Sequence, residues 1–277
     1  FVFGMTVCAA VTIAGHPVLA LFSGAAAGAL AGFFTALLQT KLKIEPILSG
    51  ILVASGLYTI NYAVLGGQSN LYLQYTTVNS VGAAVNEASP TIYKNFASLF
   101  NGISSPYLDS NAQVLILTLV IVVLLTAILG VFFFTRPGMA IRATGDNEEM
   151  VRSSSINADL TRTAGVMLAN ALVALSGALL CEQQRYADLN SGSSMLVMGL
   201  ASVIIGQVIS GDRGIVGGLI SAVAGSLLYR IIIQAAYMID MPSYAVKLLS
   251  TLIVAAALAV PLLKKKLGPG QKGGGSI

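Results

Sequence analysis

Residues 135–163 read TRPGMAIRATGDNEEMVRSSSINADLTRT and separate two strongly apolar segments of the chain. This stretch holds four arginines and four acidic residues, although only 9% of the residues in the chain are charged. Soluble domains carry roughly 25% charged residues, whereas this chain is 56% hydrophobic and has a mean hydropathy of +0.83. The composition therefore indicates an integral membrane protein that carries one strongly polar loop.

The apolar residues around this loop come in blocks of about 15 to 25 residues, the length at which an α-helix crosses a bilayer. Strands of a transmembrane barrel would instead alternate over about ten residues. We therefore predict an all-α, polytopic helical membrane protein with about eight spans, all within one transmembrane domain at 1–263. The predicted spans are the apolar run from Phe1 and residues 18–40, 46–65, 113–134, 164–183, 195–210, 214–239 and 247–263.

The distribution of lysine and arginine predicts the orientation of these spans. Of the 15 basic residues, 11 fall on the side of the membrane that carries residues 135–163, and three fall on the other side. Because Lys and Arg concentrate in cytoplasmic loops, residues 135–163 form a predicted cytoplasmic loop. Residues 66–111 are then extracellular, and the basic, glycine-rich tail at 264–277 is cytoplasmic.

The cytoplasmic loop contains the signals of two helices. Asp146 with Glu149 forms a capping-box arrangement, which predicts a short helix over about Asn147–Ser154. Asn157 then caps a second helix that continues into the span from Ala164. An ordered helix of mixed charge on a loop indicates a surface for docking another protein. The alternative is that the arginines of the loop anchor it at lipid headgroups.

The extracellular segment 66–111 is too long for a plain connection. Ser89 followed by Pro90 resembles the start of a helix, and the residues after them predict an amphipathic helix at the outer membrane surface. We expect Ile92, Tyr93 and Phe96 to dock an extracellular partner. A lid packed on the spans is the alternative.

Small residues recur at four-residue spacing in two of the predicted spans. One set comprises Gly24, Gly28 and Gly32, and the other comprises Gly214, Gly218, Ala222 and Ser226. Such faces let two helix backbones approach closely in lipid. They predict packing within the chain, with self-association of two copies as the alternative.

Polar residues inside the spans are the candidates for a transport pathway, because leaving them unpaired in lipid is costly. They are Asn61, Asn170, Gln207, Arg230 and Gln234. Hydrogen bonding between helices is the alternative role for each of them. The acidic residues fall at span ends or in loops, which argues against an ion-coupled secondary transporter.

The motifs of enzymes and of nucleotide binding are missing from the sequence. The spans contain no Ser/His/Asp or HExxH constellation, and the chain has no GxxxxGK[ST] phosphate loop. Cys8 and Cys181 show neither metal-ligand spacing nor a disulfide framework. We predict no catalytic, cofactor-binding or metal site in this chain, and no nucleic-acid partner.

Four stretches resemble the permease subunits of bacterial ABC importers in the superfamily that includes branched-chain amino acid, ribose and nucleoside permeases. The first is GMAIRATGDNEEMVRSSSINADLTRTAGVMLANALVALSGALL at 138–180. The others are QTKLKIEPILSGILVASGLYTIN at 39–61, GLASVIIGQVISGDRGIVGG at 199–218 and GSLLYRIIIQAA at 225–236. The resemblance extends over about 24–263 and is stronger to the subgroup linked to tryptophan or tyrosine uptake. Members of that family carry roughly one more span before the position of Phe1.

The resemblance implies the function and the partners. Two permease subunits, expected to be a homodimer in the bacterial cytoplasmic membrane, would form a pathway for a small solute such as an aromatic amino acid. A sugar or nucleoside is the alternative solute. Two ATP-binding subunits would bind the ATP and dock on a coupling helix, and an extracellular substrate-binding protein would deliver the solute. The implied coupling residues are Gly145, Asp146, Asn147, Glu148, Glu149 and Arg152.

Overall fold

The computed structural model describes residues 1–78, 84–95, 110–210 and 214–238, together with residues 248, 251, 252 and 255. The helices are α1 (Val2–Ile13), α2 (Pro17–Thr40), α3 (Pro46–Val64), α4 (Ser110–Phe134), α5 (Arg136–Asp146), α6 (Glu148–Ser153), α7 (Ala158–Gln184), α8 (Ser191–Ser210) and α9 (Gly214–Met238). The strands are β1 (Asn70–Tyr72), β2 (Gln74–Val78), β3 (Ala84–Ala88) and β4 (Tyr186–Asp188). Residues 92–95 are also helical.

Six helices in the described part of the chain are long and apolar enough to cross a membrane, namely α2, α3, α4, α7, α8 and α9. The helical, multi-pass prediction is therefore confirmed, but the count of eight spans is not. Helix α1 has only 12 residues, fewer than the roughly 20 that a bilayer requires. The predicted span at 247–263 lies almost wholly outside the described residues.

The chain divides into two compact units, residues 1–192 and 193–277. In the first unit, α1, α2 and α7 pack against one another, and α3 packs on α1 and α2. The largest cluster of buried apolar side chains lies under the outer strands, where the outer ends of α3 and α7 meet α1. It contains Met5, Ala9, Leu65, Leu73, Cys181, Ala187 and Leu189.

The glycine stripe of α2 is the surface on which α7 packs. A Cβ atom added at Gly28 would collide with the Ala174 side chain and lie 2.5 Å from the Asn170 carbonyl oxygen. At Gly32, an added Cβ would lie 2.8 Å from the Met167 Cα atom. This stripe therefore serves packing within the chain, as the first of the two alternatives predicts.

In the second unit, α8 and α9 also meet through small residues, but on a different face from the predicted one. A Cβ atom at Gly225 would lie 2.5 Å from the Gly206 backbone nitrogen, and one at Gly206 would collide with the Ser221 carbonyl oxygen. Gly214 and Gly218 have no such neighbour within 4 Å. The predicted four-residue spacing is correct, but the packed residues of α9 are Ser221 and Gly225, each one residue before the predicted Ala222 and Ser226. The packed face is therefore rotated by about 100° around the helix from the predicted face.

The segment predicted to be extracellular contains strands that were not predicted from the sequence. Strand β1 pairs with β4 in antiparallel register, with Leu71 opposite Ala187, and β2 pairs with β3. The β1–β4 pairing places the loop after α3 and the loop after α7 on the same side of the membrane. The alternation of the spans predicts the same arrangement.

Thr91, and not Ser89, caps the helical residues 92–95. The Lys94 backbone N–H donates to the Thr91 Oγ1 atom at 3.2 Å, whereas the Ser89 hydroxyl is buried without a partner among the described residues. The expected capping residue is displaced because the Ser89 backbone N–H donates to the Leu73 carbonyl oxygen, which ties Ser89 to the end of β1. The amphipathic helix predicted to continue through Phe96 lies outside the described residues beyond 95.

Candidate functional site

Helices α5 and α6 and the first turns of α7 pack together at residues 136–163, which we call the cytoplasmic block after the side of the membrane predicted for them. The chain reverses tightly from α4 into α5, so that a Cβ atom added at Gly138 would collide with the Phe132 carbonyl oxygen. The hydroxyls of Thr144 on α5 and Thr161 on α7 hydrogen-bond at 2.8 Å. Val151 of α6 is only 1% exposed. The block is therefore packed and not an open loop.

The short helix of the block is capped one residue later than predicted. Asp146 ends α5, and the Asn147 Oδ1 atom accepts the Met150 backbone N–H at 3.0 Å. Helix α5 was not predicted from the sequence; its Pro137 lies in the first helical turn, where a proline loses no hydrogen bond. The second cap is confirmed, since the Asn157 Oδ1 atom accepts the Leu160 N–H at 3.2 Å.

Ion pairs join α6 to α7. The Arg152 guanidinium lies 2.7 Å from Glu148 and 2.6 Å from Asp159, and Arg162 lies 3.4 Å from Glu148. The hydrogen bonds to Glu148 and then to Asp159 raise the pKa of Arg152 above its usual value. Of the predicted coupling residues, Glu148 and Arg152 thus belong to one network, Asn147 caps α6, and Gly145, Asp146 and Glu149 are exposed.

The block also exposes large apolar side chains that the sequence analysis did not single out. Met150 is 57% exposed and Leu160 is 65% exposed, and Ile156 between them is also exposed. Met150 and Ile156 lie outside the six long apolar helices, and Leu160 lies in the first turn of α7, next to the charged network. Apolar side chains rimmed by charges are the composition of a protein-binding surface.

On the outer side, Glu182 is a buried carboxylate that joins three segments. Its Oε1 atom accepts the Thr12 hydroxyl of α1 at 2.6 Å, and its Oε2 atom accepts the Ile92 backbone N–H at 2.8 Å. Glu182 is 1% exposed, and no ion pair to it occurs within the described residues. The Cys8 thiol also donates to the Oε1 atom at 3.8 Å. Glu182 lies at the end of α7, as predicted, but nothing local to it in the sequence reveals these three donors.

The predicted docking face of the extracellular segment is partly turned inward. Tyr93 is 8% exposed, and its hydroxyl pairs with the Thr118 hydroxyl of α4 at 3.2 Å. Burial raises the pKa of Tyr93 above its usual value. Tyr93 is therefore a packing residue, as the lid alternative predicts. Ile92 is half-buried, Phe96 lies outside the described residues, and a docking role for these two stays a prediction.

The five candidate pathway residues separate into two groups. Asn61 is 4% exposed and accepts the Thr6 hydroxyl at 2.9 Å, and Asn170 donates to the Val166 carbonyl at 2.9 Å beside the glycine stripe. These contacts favour helix packing for both asparagines. Gln207, Arg230 and Gln234 are exposed, and none forms a hydrogen bond or ion pair with the described residues. This second group is available to a solute or to water.

Comparison with known proteins identifies similar chains. Residues 1–258 match the profile of a family described as the branched-chain amino acid transport system permease component. The tyrosine transport system permease protein of Clostridioides difficile is 32% identical over 88% of this chain and 72% of its own length. The autoinducer 2 import system permease protein LsrC of Yersinia pestis is 24% identical over 78% of this chain. The uncharacterized protein RP368 of Rickettsia prowazekii is 25% identical over 69%. The chain spans 54% and 58% of the lengths of these last two relatives, and no solved structure matches.

Proposed function

This chain belongs to the branched-chain amino acid transport system permease family, and from that premise we propose that it forms the solute pathway of an ATP-driven importer. It is a multi-pass inner-membrane protein and the membrane component of a transport system rather than an enzyme. The family implies partner ATP-binding and substrate-binding proteins. In the proposed assembly, two copies of this chain pair in the membrane, two ATP-binding subunits bind the ATP, and an extracellular protein delivers the solute.

The observation that supports this proposal is the ordered cytoplasmic block. Its helices are held to α7 by the Arg152 ion pairs and by the Thr144–Thr161 hydrogen bond. Because α7 is itself a spanning helix, a displacement of α6 by a docked subunit is transmitted directly to the membrane core. Met150 and Leu160 supply the apolar contacts for that subunit, and the exposed Glu149 supplies a charged one.

Replacing Met150 with Glu should weaken the docking of the ATP-binding subunit. Met150 is 57% exposed, so the substitution should not disturb the packing of the block. A carboxylate in an apolar contact with the docked subunit would have to be desolvated. We expect about tenfold weaker association, which corresponds to about 1.4 kcal/mol, measured by co-purification with the co-expressed ATP-binding subunit. Met150→Leu is the matched control, because it retains the apolar surface. Undiminished co-purification of Met150→Glu, with unchanged helicity, would contradict the docking surface.

The proposed solute is an amino acid, and an aromatic one is favoured because the relative with 32% identity is named a tyrosine permease. A sugar or nucleoside remains the alternative, since the name of the Yersinia relative refers to autoinducer 2 import. An ion-coupled secondary transporter is disfavoured by the family match.

Arg230 and Gln234 of α9 are the proposed contacts for the carboxylate of such a solute. They lie one helical turn apart, so both face the same side, and both are exposed. Arg230→Ala should lower uptake of L-tyrosine by about tenfold, equivalent to about 1.4 kcal/mol, mainly through a higher KM. Arg230→Lys should recover part of the loss, since it retains the charge but not the guanidinium fork. Unchanged uptake together with an unchanged melting temperature would refute this assignment.

A further inference from the structure

Helix α3 carries a row of hydroxyl-bearing side chains on the face that points away from its own unit. Ser55, Tyr58, Thr59 and Tyr62 recur at three- and four-residue spacing, so they lie on one side of the helix. All four are exposed, Tyr58 by 53% and Tyr62 by 43%. The opposite side of α3 holds the buried Ser49 and Asn61, which face α2 and α1. We call the four residues the hydroxyl face.

The hydroxyls of this face lack the hydrogen bonds that serine and threonine make elsewhere in the spans. Thr126, which is half-buried on α4, donates to the Val122 carbonyl of its own helix at 2.7 Å, and Thr35 of α2 donates to the Ala31 carbonyl at 2.9 Å. Within the described ranges, Ser55 and Thr59 have no such bond, and the Tyr58 and Tyr62 hydroxyls have no partner either.

An unbonded hydroxyl in hydrocarbon is costly, because no water is present to satisfy it. Thr126 avoids that cost by bonding to its own backbone, which suits a lipid-facing position. Four unbonded hydroxyls on one face do not suit lipid. They require water or polar groups along the outer half of α3, over a length of about 10 Å between Ser55 and Tyr62.

The inner half of the same face is apolar. Leu48 and Ile51 continue the row toward the cytoplasmic end and are exposed by 50% and 57%. A polar outer half followed by an apolar inner half is the arrangement of an aqueous vestibule that ends at a hydrophobic constriction. No residue of α3 between Pro46 and Val64 is charged.

We propose that the hydroxyl face lines the outer, water-filled part of the translocation pathway and contacts a ring-bearing solute without net charge. This inference rests on the proposed transport function. The Tyr58 and Tyr62 rings offer flat apolar surfaces for stacking. The hydroxyls both donate and accept hydrogen bonds, and the absence of charge on α3 avoids trapping an ion. A zwitterionic aromatic amino acid has these properties, whereas a phosphorylated or strongly anionic solute does not.

Thiol labelling of the assembled transporter in intact cells tests the water access of this face. Thr59→Cys should react with a membrane-impermeant quaternary-ammonium methanethiosulfonate about tenfold faster than Ile60→Cys, because polar access to lipid-facing positions is disfavoured. Ile60 is the matched control, since it is 49% exposed at the same depth but about 100° around the helix. The parent chain provides the background, because Cys8 and Cys181 are buried. Equal rates would overturn the inference, as would an oxidative crosslink between two copies at Thr59→Cys.

Two substitutions at Tyr58 test the class of solute. Tyr58→Phe keeps the ring and should leave L-tyrosine uptake within about twofold, whereas Tyr58→Leu should lower it about tenfold, or about 1.4 kcal/mol. Equal uptake by the two variants would overturn the ring-contact part of the inference. Labelling at position 59 requires neither ATP nor solute. Lost ATPase association with retained labelling would therefore refute only the proposed function, and intact association with equal labelling would refute only the hydroxyl face.

Discussion

Gly28→Val is expected to prevent α2 from packing on α7 and to cost the permease much of its folding stability. The added side chain would collide with the Ala174 side chain and the Asn170 carbonyl. These atoms belong to a 27-residue helix that is held at both ends, so it cannot move away cheaply. Overpacking costs about 1 to 3 kcal/mol and occasionally more. Here we expect at least the upper value, because backbone atoms are involved.

The measurement is thermal unfolding of the purified chain in detergent, followed by circular dichroism. Gly50→Val is the matched control, since Gly50 also lies within a spanning helix but an added Cβ would meet no atom within 4 Å. Both variants introduce the same β-branched residue, so helix propensity cancels in the comparison. Equal melting temperatures for the two variants would show that α2 and α7 do not pack as described.

Glu182→Ala should release the extracellular segment from the membrane core. The substitution removes the acceptor for the Thr12 hydroxyl and for the Ile92 backbone N–H. A buried donor left without a partner costs about 1 to 3 kcal/mol, so two of them should suffice to detach residues 89–95. Glu182→Gln keeps one acceptor oxygen and nearly the same shape, and should show a smaller effect.

Tryptic cleavage after Lys94 reports this release, because Lys94 is exposed in the segment that Glu182 holds. In spheroplasts with an accessible outer face, we expect cleavage of Glu182→Ala to be about tenfold faster than that of the parent chain, or about 1.4 kcal/mol of local stability. Thr12→Val removes the Thr12 bond but leaves the bond from the Ile92 backbone N–H, so its cleavage rate should be intermediate. If all three chains were cleaved at the same rate, Glu182 would not be the attachment point.

Local signals predicted much of the cytoplasmic block. Asn157 caps α7 as expected, and Glu148 and Glu149 lie in the first turn of α6 as the helix dipole favours. The prediction erred by one residue at Asp146, because α5 continues up to that residue and leaves Asn147 to cap α6. The error arises because Asp and Asn cap helices almost equally well. Only the residue at which the preceding helix ends decides which of the two caps α6.

Contacts between distant residues were not predictable in this way. Thr12 and Glu182 are 170 residues apart, and β1 and β4 have three residues each, too few for an alternating pattern. The sequence predicts Tyr93 on the docking face of an amphipathic helix, but in the structure Tyr93 is buried and its hydroxyl pairs with the Thr118 hydroxyl. The hydroxyl face of α3 could not be predicted from the sequence either. Tyr58 and Tyr62 resemble the ordinary aromatic belt until the structure shows that Ser55 and Thr59 beside them have no partner.

The sequence by itself determined the membrane location, the helical character of the spans and the polar block between two of them, while the orientation of the spans stays a prediction. Each of these depends on a property of single residues or of neighbours along the chain, namely hydropathy, charge and capping. Only the tertiary structure decided which glycine faces pack, that Glu182 is buried between α1 and the outer segment, and that α3 turns its hydroxyls away from its own unit. Those features depend on how each helix is rotated about its axis, and rotation is set by the packing of helices that are far apart in the chain.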